Sequence, residues 1–274
     1  MIREQLHHVR SALFLPAHNG RALAKARSLP VDLIILDLED AVAGADKGAA
    51  RDATVAAFGE GFGDRLVAVR VNAEGSPHFS ADLRTVRAAR PALVVVPKVS
   101  SPKVTHDVGL LFERPLIAMI ESPAGVLAAP QIAATSYGLI AGTNDLAASL
   151  GIPHGAGRIG LHYSLGATVL AARLAGIPAW DGVYNGLDDP EGFEAEAREG
   201  RAFGFNGKAL IHPSQVEPAN RIFGPNAAEL AHAEALVAAA AGGAQRHGGR
   251  MIEDLHVDAA RALLARAGRA TPSA

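Results

Sequence analysis

One recurring pattern constrains this chain more than any other. A short apolar run of five to seven residues, in most cases closed by a charged or polar side chain, is followed by a helical or loop segment. The runs fall at 12–16, 32–38, 66–72, 93–98, 116–121, 137–142, 179–184 and 208–213. Runs this short and this rich in Val, Ile and Leu read as strands of a parallel sheet, buried on both faces. Their alternation with helical stretches, such as 46–58, 81–89, 161–175 and 191–203, is the signature of an α/β fold. Eight such units predict a closed (β/α)8 TIM barrel, which takes about 250 residues, and the chain has 274. An open doubly wound sheet is the alternative, but no Gly-x-Gly-x-x-Gly follows any run. In a barrel the loops leaving the C-terminal ends of the strands converge on one mouth. The polar residues that close the runs are therefore expected to meet.

The barrel is expected to occupy residues 1–225. Beyond Pro225 the pattern changes to an Ala-rich helix over 227–241, a glycine-containing loop over 242–249 and a helix over 257–267. About 50 residues make a thin core. Residues 226–274 are accordingly read as a C-terminal helical extension that packs on or reaches into a neighbouring subunit, with a disordered tail from Arg269. The chain has no cysteine, which excludes disulfides and thiolate metal sites. A net charge of −2 gives no electrostatic case for nucleic acid. No apolar run approaches the roughly 20 residues that cross a bilayer, and Met1 to Arg10 lacks the apolar core of a signal peptide. The expectation is a soluble, cytoplasmic protein without a membrane partner.

Two carboxylates stand out. Glu121 closes the run Leu116–Ile120, and Asp145 follows the run 137–142 by three residues, with Gly142 and Thr143 between. Acids at the ends of adjacent strands, with glycine letting the backbone approach, suit a hard divalent cation such as Mg²⁺, which needs few protein ligands. Arg70 closes the third run, and its fork suits either a substrate carboxylate or the acids Asp37, Glu39 and Asp40 that close the second. Those three acids are read as a network around the cation's waters and Arg70, Asp40 equally as a helix cap. Lys98 either neutralises substrate charge or pairs with an acid across the mouth. Asp181 and His212 are placed in the surrounding shell; His212 is also a candidate general base, although a histidine before proline more often serves a structural hydrogen bond. No Gly-x-Ser-x-Gly elbow is present. A cation, an arginine and several acids fit chemistry on an enolate or a polarised α-keto acid.

The motifs then become recognisable. The stretches RSALFLPAHN (10–19), LIILDLEDAV (33–42), VRVN (69–72), VPKVSS (96–101), IESPAGV (120–126), AGTNDLAASLG (141–151), DGVYN (181–185) and GFNGKALIHPSQV (204–216) stand in this order. The chain resembles the HpcH/HpaI aldolase–citrate lyase superfamily, in its citrate lyase β-subunit-like branch acting on coenzyme A esters. The resemblance covers about residues 10–267. It implies a TIM barrel that forms trimers or hexamers and requires Mg²⁺, with Glu121 and Asp145 as metal acids. Arg70 matches the substrate-carboxylate arginine. We place Arg70, Lys98, Gly142 and Thr143 at the substrate, and Arg70, Asp37 and Glu253 in catalysis. The implied reaction cleaves a malyl-, citramalyl- or citryl-CoA ester between C2 and C3. The products are acetyl-CoA or a related thioester and an α-keto acid or glyoxylate. One departure stands out: where such lyases carry Gly-x-Met-Val-Asp in the C-terminal extension, this chain reads Gly249-Arg250-Met251-Ile252-Glu253. A carboxylate one methylene longer changes the reach of that group, and a misplacement of about 1 Å can cost roughly 10²-fold. Hydrolysis by a malyl-CoA-type thioesterase, or service as a subunit of an acyl-carrier-dependent citrate lyase complex, are the alternatives.

Overall fold

The computed structural model describes residues 2–240, 243, 245–247 and 250–267. Eight parallel strands close into a barrel in sequence order. They are β1 (Ser11–Pro16), β2 (Leu33–Asp37), β3 (Leu66–Arg70), β4 (Leu93–Val96), β5 (Leu116–Ile120), β6 (Gly138–Ala141), β7 (Ala179–Asp181) and β8 (Gly207–Leu210). β8 pairs back onto β1, with Ala12 opposite Ala209, so the sheet has no edge. The expected (β/α)8 barrel is the fold.

Side chains alternate across each strand, and the alternation sorts the core into two layers. Phe14, Leu33, Ile35, Ala68, Val95, Ile117, Met119, Ile140, Trp180 and Ala209 fill the barrel interior. Their chain neighbours, among them Ile34, Leu36, Val69, Val94, Val96 and Leu139, pack outward under the helices. The interior is solid rather than a pore. Trp180 is fully buried there, and its Nε1 donates to the Val9 carbonyl at 2.9 Å. Gly138 lies so close to that indole ring that a Cβ would collide with it. The helix Ile2–Leu6, unforeseen in the sequence, brings Leu6 to the interior cluster at the N-terminal end of the strands. Its Arg3 lies over the Tyr137 ring.

The helix Pro102–Phe112 was also not foreseen. Thr, Val and Gly lower its propensity, yet a start signal stands in the sequence, with Ser101 at the N-cap and Pro102 in the first turn. β8 ends at Leu210, so His212 and Pro213 lie in a short turn beyond it. Among the described residues no helix is long and apolar enough to cross a membrane.

The chain divides into two compact units, Met1–Phe223 and Gly224–Ala274. In the second, the helices Ala227–Ala239 and Asp254–Arg266 share a small core of Leu230, Ala233, Leu236, Val237, Val257, Ala260 and Leu264. Asn226 opens the first of them with a reciprocal cap: its Oδ1 accepts from Glu229 N, and Glu229 Oε2 accepts from Asn226 N, both at 2.9 Å. The loop read over 242–249 contains a strand instead, β9 (Gln245–His247), paired antiparallel with β10 (Arg250–Ile252) just beyond it. Gly249 and the tail from Arg269 lie outside the described residues.

Candidate active site at the barrel mouth

Strand parity decides which polar residues reach the mouth. Asp37 follows the inward Leu33 and Ile35, Arg70 follows the inward Ala68, and Glu121 follows the inward Ile117 and Met119. Asp37 and Arg70 are also register partners across β2 and β3. Arg70 spends its fork on Asp37: Nε donates to Oδ1 at 2.7 Å and Nη2 to Oδ2 at 2.5 Å. Its Nη1 lies 3.2 Å from Glu39 Oε2 and 3.8 Å from Met119 Sδ. The guanidinium carbon stands 4.8 Å from the centre of the Phe14 ring. Burial alone would lower the guanidinium's pKa, but Asp37, Glu39 and Asp40 outweigh it and hold the charge firmly. Asp37 is saturated. Besides Arg70 it accepts from Glu39 N at 2.8 Å and Ala41 N at 3.0 Å. With four donors on its carboxylate, Asp37 anchors Arg70 and the turn after β2.

Glu121 sits at the centre of the mouth, 5% exposed. Its Oε1 accepts from Lys98 N at 2.5 Å. Burial pushes its pKa up to about 7; the Lys98 amide opposes this, while Glu39 and Asp145 add to it. Gly142 lies against the Glu121 carboxylate, where any Cβ would overlap it, and Gly182 meets Thr143 in the same way. Asp145 stands in the first turn of the helix Thr143–Ser149, half-exposed. Lys98 Nζ lies 2.9 Å from Glu39 Oε1, 3.6 Å from Asp40 and 3.9 Å from Asp145. Burial raises the pKa of Glu39, with Arg70 and Lys98 opposing. Asp37, Asp40, Arg70, Glu121, Gly142, Thr143 and Asp145 all line one cavity of about 370 Å³.

Two expected members stand elsewhere. Trp180 points inward, so Asp181 next to it points outward, under the helix Pro190–Phe203. There it binds Arg158 Nη2 at 2.6 Å and Lys208 Nζ at 2.9 Å, and Lys208 also reaches Glu196 at 2.8 Å. Asp181 thus belongs to a buried ion cluster behind the sheet, not to the shell around the mouth. The exposed side chain of His212 bonds Ser214 Oγ at 2.7 Å and serves the turn after β8, so it too is corrected from that shell to a cap. Glu253 lies in the C-terminal unit, exposed at the start of the helix Asp254–Arg266, where its amide donates to His256 Nδ1 at 3.0 Å. The sequence reading missed Asn144 and Asn185, which line the cavity and bond each other at 2.8 Å. It also missed Phe14 and Met119, although period-2 counting back from Pro16 and Glu121 would have found both.

The donor set fits a hard divalent cation. Among the described residues no group of three or more His, Cys, Asp or Glu is placed for a metal ion. Two carboxylates are enough for Mg²⁺, which keeps water and substrate oxygens around one or two protein acids. Glu121 supplies what such an ion needs: a buried carboxylate with only one hydrogen bond from the described residues, Oε2 facing Gly142. Asp145 supplies the second oxygen donor on the same cavity.

A closed barrel with buried acids and a locked arginine at the C-terminal ends of its strands has its polar cavity where α/β-barrel enzymes carry their active sites. Residues 10–213 match the model of the HpcH/HpaI aldolase/citrate lyase family, and the chain belongs to that family. It is 42% identical to a (3S)-malyl-CoA thioesterase of Cereibacter sphaeroides, over 96% of both chains. It is 38% identical to a citrate lyase subunit beta-like protein of Deinococcus radiodurans, over 93% of this chain and 96% of that one. Among solved structures, it is similar to protein CitE from Mycobacterium tuberculosis in complex with magnesium, acetoacetate and coenzyme A. That likeness has a TM-score of 0.84 and 32% identity, covering 96% of this chain and 100% of the other.

Proposed function

We propose that this chain is a Mg²⁺-dependent enzyme acting on the CoA ester of a 3-hydroxy dicarboxylic acid of the malyl-CoA type. The observation that carries the reading is Glu121, a carboxylate buried against Gly142 and short of donors, beside Asp145 on a cavity that also holds Arg70. The related CitE structure, crystallised with magnesium and coenzyme A, supports it. In this reading Glu121 and Asp145 hold the cation, which polarises the oxygens of the bound substrate. Arg70, fixed by Asp37, offers its Nη1 edge rather than a free fork to the distal carboxylate of the substrate. Lys98, paired with Glu39 and 3.9 Å from Asp145, adds a second positive charge beside the metal acids. Asn144 and Asn185 supply neutral donors and acceptors for the substrate's hydroxyl and carbonyl groups. Gly142 and Thr143 shape the floor beneath them.

Of the two outcomes open to such a substrate, thioester hydrolysis comes first. Water attacks the thioester carbonyl and the CoA thiolate leaves. The favouring observation is the 42% identity to a malyl-CoA thioesterase across nearly the whole chain, together with Glu253 in place of the lyase-type Asp. The carbon–carbon cleavage expected from the sequence is the second reading, supported by the citrate lyase beta-like relatives. There the 3-hydroxyl proton is lost, the C2–C3 bond breaks, and the thioester enolate takes up a proton. A cytoplasmic homo-oligomer, in which the C-terminal unit serves a neighbour's mouth, completes the proposal.

Mass spectrometry of the products from malyl-CoA and citramalyl-CoA, with Mg²⁺ and with EDTA, separates the readings. Free CoA with malate or citramalate is expected, and EDTA or Glu121→Ala should abolish it. Acetyl-CoA with glyoxylate or pyruvate would move the assignment to the lyase. Turnover that survives both EDTA and Glu121→Ala would remove the metal site from the account. An isolated protein inert toward free CoA esters would point to the subunit role.

A further inference from the structure

The residue whose geometry the proposed reaction does not explain is Lys98. Three non-glycine residues among those described have positive φ: Arg90 at 52°, Lys98 at 55° and Glu113 at 53°. Arg90 and Glu113 each terminate a helix, where the left-handed conformation is routine. Lys98 ends no helix. It follows β4 and Pro97 and holds a backbone that a side chain disfavours, the kind of local strain that persists at functional positions. The contacts show what the strain does. The turned backbone delivers the Lys98 amide to Glu121 Oε1 at 2.5 Å, while the side chain carries its ammonium to Glu39, Asp40 and Asp145. A single residue therefore touches four of the five acids at the mouth. Arg70 cannot take that part, because Asp37 occupies its fork.

We infer that Lys98 is a resident counter-cation: its ammonium neutralises the mouth before a divalent cation enters, opposes that cation at Asp145, and so sets the affinity of the site. The inference rests on the reading of Glu121 and Asp145 as the metal ligands. Without a positive charge there, Glu39, Asp40 and Asp145 would repel one another around the half-buried Lys98 stem. With a divalent cation on Glu121 and Asp145, the ammonium that stood 3.9 Å from Asp145 faces a like charge. Even in the dielectric of water, a single and a double charge about 5 Å apart repel enough to weaken binding roughly tenfold. The ammonium keeps Glu39 at 2.9 Å and Asp40 at 3.6 Å as partners, and the negative charge of a bound substrate would offset its repulsion of the cation. Cation and substrate would thus favour each other through Lys98, and a site without substrate would hold its cation only loosely.

The test is calorimetric titration of the full chain with Mg²⁺, and with Mn²⁺ followed by its paramagnetic signal, at pH 8 and without substrate. Lys98→Met is expected to bind either ion about tenfold or more tightly than the parent, and Lys98→Arg to stay within about threefold of it. Should Lys98→Met fail to fold, Lys98→Gly removes the ammonium and accepts positive φ without strain, and the same tightening is expected. Unchanged or weaker binding in the soluble charge-removing variant overturns the inference. So does a failure of both variants to fold, since the ammonium would then be a structural clamp. If neither the parent chain nor the charge-removing variants bind either ion at millimolar concentration, the metal reading of the site fails instead.

Discussion

Glu121 sits where burial and neighbouring acids favour its neutral form, with the Lys98 amide as the one described donor to its carboxylate. Its folded-state pKa of about 7 lies above the ordinary carboxylate value of 4.5. Between those values the folded protein keeps a proton that the unfolded chain has released. The stability it contributes is therefore fully present below about pH 4.5 and lost as pH rises through about 7. Cation-free protein should accordingly show a urea midpoint that falls from pH 5 to pH 8. Glu121→Gln, neutral at every pH, should lack that part of the slope. Equal slopes for the two proteins would mean that Glu121 titrates as an ordinary carboxylate. At this scale residue types were readable: an acid, an arginine and a lysine each closing a buried run announce a polar mouth. Saturation was not. That Asp37 accepts four hydrogen bonds and leaves Arg70 only one edge depends on atoms from two strands and a turn.

Strands dispose their residues by parity, and parity explains both the agreements and the displacement of Asp181. Asp37, Arg70 and Glu121 each stand two residues beyond an inward apolar side chain, whereas Asp181 stands one beyond the inward Trp180. The run Ala179-Trp180-Asp181 could have been read that way, since a strand that buries Trp180 inside must turn its neighbour out. Behind the sheet, Asp181 and Lys208 are both fully buried, with Arg158 and Glu196 completing the cluster. The helix Pro190–Phe203 comes close enough there that a Cβ at Gly200 would strike the Asp181 carboxylate. Removing one member of a buried ion network leaves the partner charge uncompensated, at about 3–5 kcal/mol. Asp181→Ala should lose roughly that much stability in urea titration, while Mg²⁺ affinity of the folded fraction stays at the parent value. A changed affinity would return Asp181 to the neighbourhood of the metal site. The unforeseen helix Pro102–Phe112 has a plainer cause: packing against the barrel overrides a composition poor in helix formers.

For the whole molecule, the barrel supplies the cavity and the C-terminal unit supplies Glu253, and product choice is where the two are proposed to meet. If the extra methylene of Glu253 disfavours carbon–carbon cleavage, Glu253→Asp should raise the acetyl-CoA to free CoA ratio from malyl-CoA by about tenfold or more. An unchanged ratio would detach that residue from the choice of reaction. What the sequence by itself determined is the architecture and the types of polar residue that close its strands. Eight buried runs allow few closed arrangements, and a polar residue that ends a run with inward parity in such a barrel has one rim to occupy. Only the tertiary structure decided how those residues divide the work. Which acid is saturated, which is starved of donors, and which lysine turns its backbone to reach four carboxylates are all set by neighbours distant in sequence. The physical reason is that periodicity fixes the direction of a side chain within its own strand. Desolvation and charge pairing are instead properties of the space between strands, and that space exists only once the barrel has closed.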